Sequence, residues 1–177
     1  IEVVKHQTHI PEDEYSLEAS DVKPAHTNES IVNIMKDCCL SESDEYELMN
    51  YVHEKGQIFI STPFSRKALE RLISFDVSAL KIGSGECSNY PLLELVGSHK
   101  IPVVMSTGMN DIQSISLAVK ALNLDHDQLA LLHTTNIYPT PFDHVRLSAM
   151  IDMHNNFPEY VYGLSDHTIN SISSLGA

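Results

Sequence analysis

The stretch Ile101-Pro-Val-Val-Met105, followed at once by Ser106-Thr-Gly-Met109, indicates how this chain folds. It is a short apolar run that ends in small polar residues, and residues 110–122 then carry apolar side chains at helical spacing. Strands buried on both faces of a parallel sheet have such unbroken apolar runs, and each needs a crossover helix after it. We therefore interpret this stretch as one strand–helix unit of a parallel α/β fold.

Five further apolar runs show the same order of apolar run, polar residues and helix-like stretch. They cover residues 1–4, 57–60, 77–80, 129–132 and 160–164. Six such units fit either a doubly wound sheet or an incomplete barrel. Gly83-Ser-Gly85 lacks the third glycine of a dinucleotide-binding loop, which argues against a dinucleotide-binding sheet. Polar residues follow every apolar run rather than only the runs at one switch point, which favours the barrel. We predict a partial (β/α)8 TIM-barrel catalytic domain over residues 1–177, with about six of the eight βα units.

Capping residues and apolar periodicity predict the helices between these strands. The predicted helices are 30–39; 46–52, with an N-cap in 41–44 and Gly56 as its stop; 66–75, capped by Ser65; a short one from Asn89 to Gly97; 111–122, capped by Asn110; 146–156; and 169–177. Residues 9–30 are acidic and have no clear period. We expect them to form a long loop, a feature that often serves as a lid.

The chain is strongly acidic, with a net charge of −13 from 11 Lys and Arg against 24 Asp and Glu. Its few basic residues form no runs, so we expect neither nucleic acid nor a membrane as a partner. Three cysteines, of which Cys38 and Cys39 are adjacent, give no disulfide framework, and a cytoplasmic location is expected. The chain starts inside a strand and stops inside a helix-like stretch, which we interpret as a fragment of a longer protein.

The segment Lys81-Ile-Gly-Ser-Gly-Glu86 holds the first candidate chemistry. A lysine at a strand end can bind an anion or form a Schiff base with a carbonyl, and it can also be a structural ion-pair partner. Glu86 is either a general base, a hydrogen-bond acceptor for a sugar hydroxyl, or a solvated loop carboxylate.

Hydroxyl and amide side chains follow the other strands. Ser106-Thr-Gly108 precedes a helix, so its hydroxyls and the helix N–H groups can converge on a phosphate, although a capping turn has the same composition. Asn136 and Tyr138 precede the rigid turn Pro139-Thr-Pro141. His167 follows the sixth strand, where a lone histidine is more often a hydrogen-bonded residue than a metal ligand.

Seven segments, in order along the whole chain, resemble the bacterial N-acetylneuraminate (sialic acid) synthase family. They are Lys5-His-Gln-Thr-His9, Phe59-Ile-Ser-Thr-Pro-Phe64, Lys81-Ile-Gly-Ser-Gly-Glu86, Asn89-Tyr-Pro-Leu92, Met105-Ser-Thr-Gly-Met109, Leu132-His-Thr-Thr-Asn-Ile-Tyr-Pro-Thr-Pro141 and Gly163-Leu-Ser-Asp-His-Thr168. The resemblance implies condensation of phosphoenolpyruvate with N-acetylmannosamine to give N-acetylneuraminate and phosphate. It also implies a divalent metal, Mn²⁺ or Mg²⁺, that polarises the sugar aldehyde.

The resemblance assigns roles by motif position. Phosphoenolpyruvate would be held by Lys5, Thr62, Lys81, Ser84, Ser106, Asn136, Tyr138 and Ser165. Gln7 would lie near the sugar, Glu86 would act on the attacking water or on a sugar hydroxyl, and His167 would be a metal ligand. Lys81 and Glu86 are the expected catalytic residues. Two lysines in an acidic chain suit an anionic substrate.

Members of the family have features that this sequence lacks: further strands at both ends and a C-terminal antifreeze-like domain that reaches the partner's site in a domain-swapped homodimer. We expect the 177-residue chain alone to be inactive, because six strands cannot close the barrel. Three alternatives stay open. They are a legionaminate or pseudaminate synthase that uses a diacetamido-trideoxyhexose, a Schiff-base aldolase that uses Lys81, and a non-catalytic sugar- or anion-binding barrel.

Overall fold

The computed structural model describes residues 1–24 and 27–177, and the chain divides into two units, Ile1–Ser78 and Ala79–Ala177. The first unit contains two parallel strands, β1 (Val3–Thr8) and β2 (Ile58–Pro63). Its helices are α1 (Pro11–Glu14), α2 (Ile31–Cys38), α3 (Glu42–Glu54) and α4 (Arg66–Ser74). Buried apolar side chains of β2 and α4 form its core, with Phe59, Leu69 and Leu72 fully buried.

The second unit contains a four-stranded parallel sheet in the order β3 (Leu80–Ile82), β4 (Val103–Ser106), β5 (Leu129–Thr134) and β6 (Val161–Ser165). Its helices are α5 (Tyr90–Ser98), α6 (Ile112–Leu122), α7 (Ser148–Asn156) and α8 (Ile172–Gly176). Each strand is followed by a helix, so the parallel βα architecture is confirmed within this unit. The closed barrel stays a prediction.

All six strands end later than the apolar runs predicted, and all except β5 also begin later. Lys5 and Gln7 lie inside β1, Lys81 lies inside β3, and Thr62, Ser106 and Ser165 are strand residues rather than residues beyond a strand. The ladder hydrogen bonds come from the backbone, so pairing continues through polar residues as long as the neighbouring strand continues. The sequence interpretation wrongly took the first polar side chain as the strand end.

Residues 9–30 are more ordered than the predicted loop. Pro11 opens α1, acidic residues occupy its first turn, and a 3-10 turn covers Leu17–Asp21. Residues 25 and 26 lie outside the described part of the chain. The prediction of a long loop was therefore wrong for the first half of this segment. A helix of only four residues is too short to show an apolar periodicity in the sequence.

Several helix ends also differ from prediction. Asp111 rather than Asn110 caps α6, since its Oδ1 accepts from Ser114 N at 2.8 Å. Helices α7 and α8 begin two and three residues later than predicted, at Ser148 and Ile172. Helix α5 ends at Ser98, one residue after Gly97, and the glycine is required by packing, since a Cβ there would lie 1.9 Å from Leu122 O of α6. In the described ranges, no helix has the length and apolar character needed to cross a membrane.

Candidate active site

In the first unit, Lys5, Gln7 and Thr62 share one face of the β1–β2 pair. Gln7 is in register with Thr62, and Lys5 lies two residues before Gln7 on the same strand. Because side chains alternate along a strand, all three lie on one side of the sheet. Neighbouring atoms desolvate the Lys5 ammonium and lower its pKa below the ordinary value of 10.5, although the side chain keeps exposed area. The β1–β2 pair thus presents one cation and two polar groups on the same face.

In the second unit, the Lys81 ammonium is buried between neighbouring strands. The residue is 8% exposed, and its Nζ donates to Ser106 Oγ at 2.6 Å and to Ile82 O at 2.7 Å. A buried cation with fixed hydrogen bonds is a preorganised anion-binding group, since little water competes for it.

Two buried hydroxyls accompany this lysine. Ser106 Oγ accepts from Lys81 Nζ, and Ser84 Oγ accepts from Gly108 N at 3.0 Å. A hydroxyl that accepts one hydrogen bond still has its own O–H to donate. The arrangement therefore offers two O–H donors, one from Ser84 on the turn after β3 and one from Ser106 at the end of β4.

The turn after β4 is tied to its surroundings by two residues. Thr107 donates from both N and Oγ1 to Leu132 O, at 2.9 and 3.0 Å. Asn110 Nδ2 donates to Ser84 O at 3.0 Å and to Gly108 O at 2.7 Å. Asn110 thus joins the turn after β4 to the turn that carries the Ser84 hydroxyl, a role that the sequence interpretation missed when it assigned this residue as a helix cap.

Asn136 packs directly against Gly108. A Cβ at Gly108 would lie 2.0 Å from Asn136 Oδ1 and 2.8 Å from Thr134 O, so only glycine fits. Asn136 Oδ1 is buried, and within residues 1–24 and 27–177 it has no hydrogen-bond partner. Nearly all buried polar atoms in folded proteins have a hydrogen-bond partner, so Asn136 Oδ1 is an exception whose position is set by its packing against Gly108.

Glu86 is oriented by a neighbour in the turn after β3. Its Oε2 accepts from Asn89 Nδ2 at 2.8 Å, while Asn89 Oδ1 accepts from Leu92 N at 3.4 Å at the start of α5. The side chain is half-buried. Glu86 is therefore held by the helix cap rather than free in a solvated loop.

The loops after β5 and β6 meet through Tyr138 and His167. Their rings stack with centroids 4.0 Å apart, and Thr140 N donates to His167 O at 2.9 Å. His167 Nδ1 lies 2.9 Å from Thr135 O; a carbonyl can only accept, so Nδ1 carries the proton. This tautomer leaves the Nε2 lone pair available for a metal ion or a proton.

His167 fits the role of a metal ligand, but the chain supplies few others. Among the described residues, no group of three or more His, Cys, Asp and Glu side chains is placed to hold an ion. Mg²⁺ typically keeps several water molecules or substrate oxygens as ligands, so a single histidine is compatible with such an ion.

A cavity of about 610 Å³ in the second unit has Gly108 and Asn136 on its wall. Its other side is formed by residues from the loop after β5 and from α7, among them His144, Arg146 and Asp152. Arg146 adopts a left-handed backbone conformation, with φ at +52°. The sequence interpretation did not identify Arg146, because it placed this residue inside a regular helix.

The NeuB family model matches residues 1–177. The chain belongs to the NeuB family. It is 41% identical over 143 residues to an uncharacterized protein of Methanocaldococcus jannaschii, and these residues cover 80% of this chain and 42% of that protein. It is 39% identical over 135 residues to the N,N'-diacetyllegionaminic acid synthase of Legionella pneumophila, covering 73% of this chain and 38% of that enzyme.

The crystal structure of an N-acetylneuraminic acid (sialic acid) synthetase from Leptospira borgpetersenii, in complex with citrate, superimposes on this chain. The TM-score is 0.84 at 25% identity, over 98% of this chain and 57% of that one. The resemblance noted from the sequence motifs is therefore confirmed at the level of the family. The chain spans about two fifths of the length of the curated relatives it matches.

Proposed function

We propose that this chain binds phosphoenolpyruvate as part of a synthase that condenses it with an N-acetylated amino sugar. The observation that carries the proposal is the buried Lys81 ammonium hydrogen-bonded to Ser106, with the Ser84 hydroxyl on the neighbouring turn. Membership of the NeuB family supports it.

The polar groups of the second unit suit a phosphorylated carboxylate. Lys81 supplies a desolvated positive charge, and Ser84 and Ser106 supply O–H donors that an anion needs. With Oδ1 of Asn136 held against Gly108, the Nδ2 end of this amide is the one that can donate to the anion. We assign Tyr138 and Ser165 to the same ligand by their motif positions, and Lys5, Thr62 and Gln7 to the substrates.

The proposed reaction forms a carbon–carbon bond. Carbon 3 of phosphoenolpyruvate attacks the sugar aldehyde carbon, whose oxygen becomes a hydroxyl. Water adds at carbon 2, and the tetrahedral carbon then loses phosphate by C–O cleavage. Glu86, oriented by Asn89, is the residue we propose to take the proton from the attacking water or to hold a sugar hydroxyl.

His167 is the residue that would hold a divalent ion, Mn²⁺ or Mg²⁺, through Nε2. Such an ion would supply Lewis-acid polarisation of the sugar aldehyde. The Thr135 carbonyl fixes the ring tautomer and the Tyr138 ring covers one face, so the protein's part is to orient the ligand.

Two acceptor sugars are candidates. The motif Asn136-Ile-Tyr-Pro-Thr-Pro141 favours N-acetylmannosamine, which gives N-acetylneuraminate. The 39% identity to a legionaminic acid synthase instead supports a diacetamido-trideoxyhexose. A pseudaminate synthase would use a related diacetamido sugar. The cytoplasmic location, the domain-swapped dimer and the antifreeze-like domain remain predictions from the sequence.

The hydrogen bonds of Lys81 argue for an anion-binding role rather than a Schiff base. An amine that donates to a hydroxyl and a carbonyl is held as a donor, whereas attack on a carbonyl needs its lone pair. Borohydride in the presence of a keto acid would trap a Schiff base at Lys81, and we expect no such adduct.

The experiment that tests the function is phosphate release by the intact synthase with phosphoenolpyruvate, Mn²⁺ and each candidate sugar. We expect release that requires sugar and metal and is lost in Lys81→Ala, while Lys120→Ala, an exposed lysine on α6, retains it. The sugar that supports release decides between the two acceptors. A folded, metal-loaded protein that releases no phosphate with any hexosamine would leave only the binding-module alternative.

A further inference from the structure

A buried carboxylate lies on the opposite side of the β1–β2 pair from Lys5, Gln7 and Thr62. Glu45 of α3 is 1% exposed and accepts hydrogen bonds from Thr8 Oγ1 and from Arg71 Nη1, the latter at 3.1 Å. His6 Nε2 lies 3.7 Å from the same carboxylate. A buried charge is costly unless it is paired and hydrogen-bonded, and Glu45 has both kinds of partner.

The hydrogen bonds run in one direction from β2 through β1 to α3. The single hydroxyl proton of Thr8 goes to Glu45, so Thr8 Oγ1 can only accept from Ser61 Oγ, 2.7 Å away. Ser61 and Thr8 are both fully buried. The carboxylate thus fixes the orientation of two hydroxyls on two neighbouring strands.

Each of these hydroxyls is the immediate neighbour of a residue assigned to substrate. Thr8 follows Gln7 on β1, and Ser61 precedes Thr62 on β2. Since successive side chains point to opposite faces, a rotation of either strand about its axis would turn both faces together.

We propose that Glu45 is a positioning residue, which acts through Thr8 and Ser61 to hold Gln7 and Thr62 in the direction that binds substrate. Arg71 compensates the buried charge. This inference rests on the proposed function, because it concerns the substrate-binding face of the same synthase.

The test compares variants that remove the polar network with one that only destabilises the same helix. Glu45→Met removes both carboxylate oxygens at similar side-chain length, and Thr8→Val removes the hydroxyl at similar volume. Met49→Ala is the matched control: Met49 is 4% exposed on α3, and its truncation leaves a cavity without touching the network. For each variant we measure the thermal midpoint and the phosphoenolpyruvate dissociation constant. We also measure the position of the Gln7 side-chain amide signals in a nitrogen–proton NMR spectrum.

We expect Glu45→Met and Thr8→Val to weaken phosphoenolpyruvate binding by about tenfold, the lower end of the loss seen when the hydrogen-bonded support of a metal-binding side chain is removed. Both should move the Gln7 amide signals in the free protein. Met49→Ala should lower the thermal midpoint at least as much, with an affinity close to wild type.

Equal affinities for wild type and Glu45→Met, measured at a temperature well below both thermal midpoints, would overturn the inference while the proposed function stands. An equal loss of affinity in Met49→Ala would also overturn it, because stability alone would then explain the effect. A wild-type chain whose binding is absent, or unchanged in Lys81→Ala, would overturn the proposed function and this inference with it.

Discussion

At Gly108 the backbone closely approaches a side chain of the site. Ala at this position would place its Cβ 2.0 Å from Asn136 Oδ1 and 2.8 Å from the Thr134 carbonyl, and the carbonyl cannot move without disturbing β5. We expect Gly108→Ala to lower the free energy of unfolding by about 1–3 kcal/mol, as other overpacked sites do, and to weaken phosphoenolpyruvate binding.

The matched control for this substitution is Gly85→Ala, because a Cβ at Gly85 would meet no atom within 4 Å. Chemical denaturation and a ligand titration of both variants measure the two effects. A Gly108→Ala protein as stable and as tight-binding as Gly85→Ala would show that Asn136 is not held as described.

Cys87 is a buried thiol whose reactivity follows from its surroundings. Burial raises its pKa to about 11, and its Sγ donates to Ser106 O at 3.2 Å. Since the thiolate is the nucleophile, Cys87 should resist alkylation at pH 8 while the exposed Cys38 reacts. Mass spectrometry of the iodoacetamide-treated native chain checks this. Labelling of Cys87 as fast as Cys38 would contradict the buried position.

Single residues were easier to predict from the sequence than their partners were. Lys81, Ser84 and Ser106 follow apolar runs, so their motif positions predicted that they lie together. Glu45 was missed, although a carboxylate at the position that shares a helix face with Met49 and Val52 is a usable signal. Asn110 was missed because an Asn-Asp pair before a helix offers two possible caps.

At the scale of elements, β1 carries a histidine whose protonation opposes folding. Burial lowers the pKa of His6 below its ordinary value of 6.5; Glu45 opposes this shift, and Lys5 and His9 add to it. Between the lowered pKa and 6.5 the unfolded chain binds more protons than the folded one, so stability is lost as the pH falls through this range.

We therefore expect the thermal midpoint to fall as the pH is lowered below about 6.5, and His6→Gln to flatten this part of the curve. His53→Gln, at an exposed histidine of α3, should keep the wild-type pH dependence. The measurement is a series of thermal melts across the range. An unchanged slope in His6→Gln would show that other groups govern the acid sensitivity.

The order of strands and helices was predictable, but the strand ends were not. An apolar run indicates which strand residues are buried among apolar neighbours. The backbone hydrogen-bond ladder continues through Lys5, Gln7 and Lys81, because backbone groups pair whatever the side chain. The N-caps Ser65 and Asn89 were confirmed, and the cap predicted within residues 41–44 is Ser41, since a cap is a local side-chain–backbone interaction.

At the scale of the whole molecule, the acidic charge balance makes Lys5 on β1 and Lys81 on β3 distinctive. The chain carries a net charge of −13, yet Lys81 is buried where an anion is proposed to bind. Such a cation attracts a substrate of high negative charge, while the acidic remainder of the chain disfavours polyanions. Family membership was predictable from seven ordered motifs. The acceptor sugar was not, because relatives of different names share these motifs.

The most direct test of the central claim is a calorimetric titration of this chain with phosphoenolpyruvate, for wild type, Lys81→Ala and Lys120→Ala. The account predicts saturable binding to wild type and Lys120→Ala, and a loss of at least about tenfold in affinity for Lys81→Ala, whose buried charge-assisted hydrogen bonds would be missing. Binding that is equally tight in a folded Lys81→Ala protein, or no binding to the folded wild-type chain, would contradict the account.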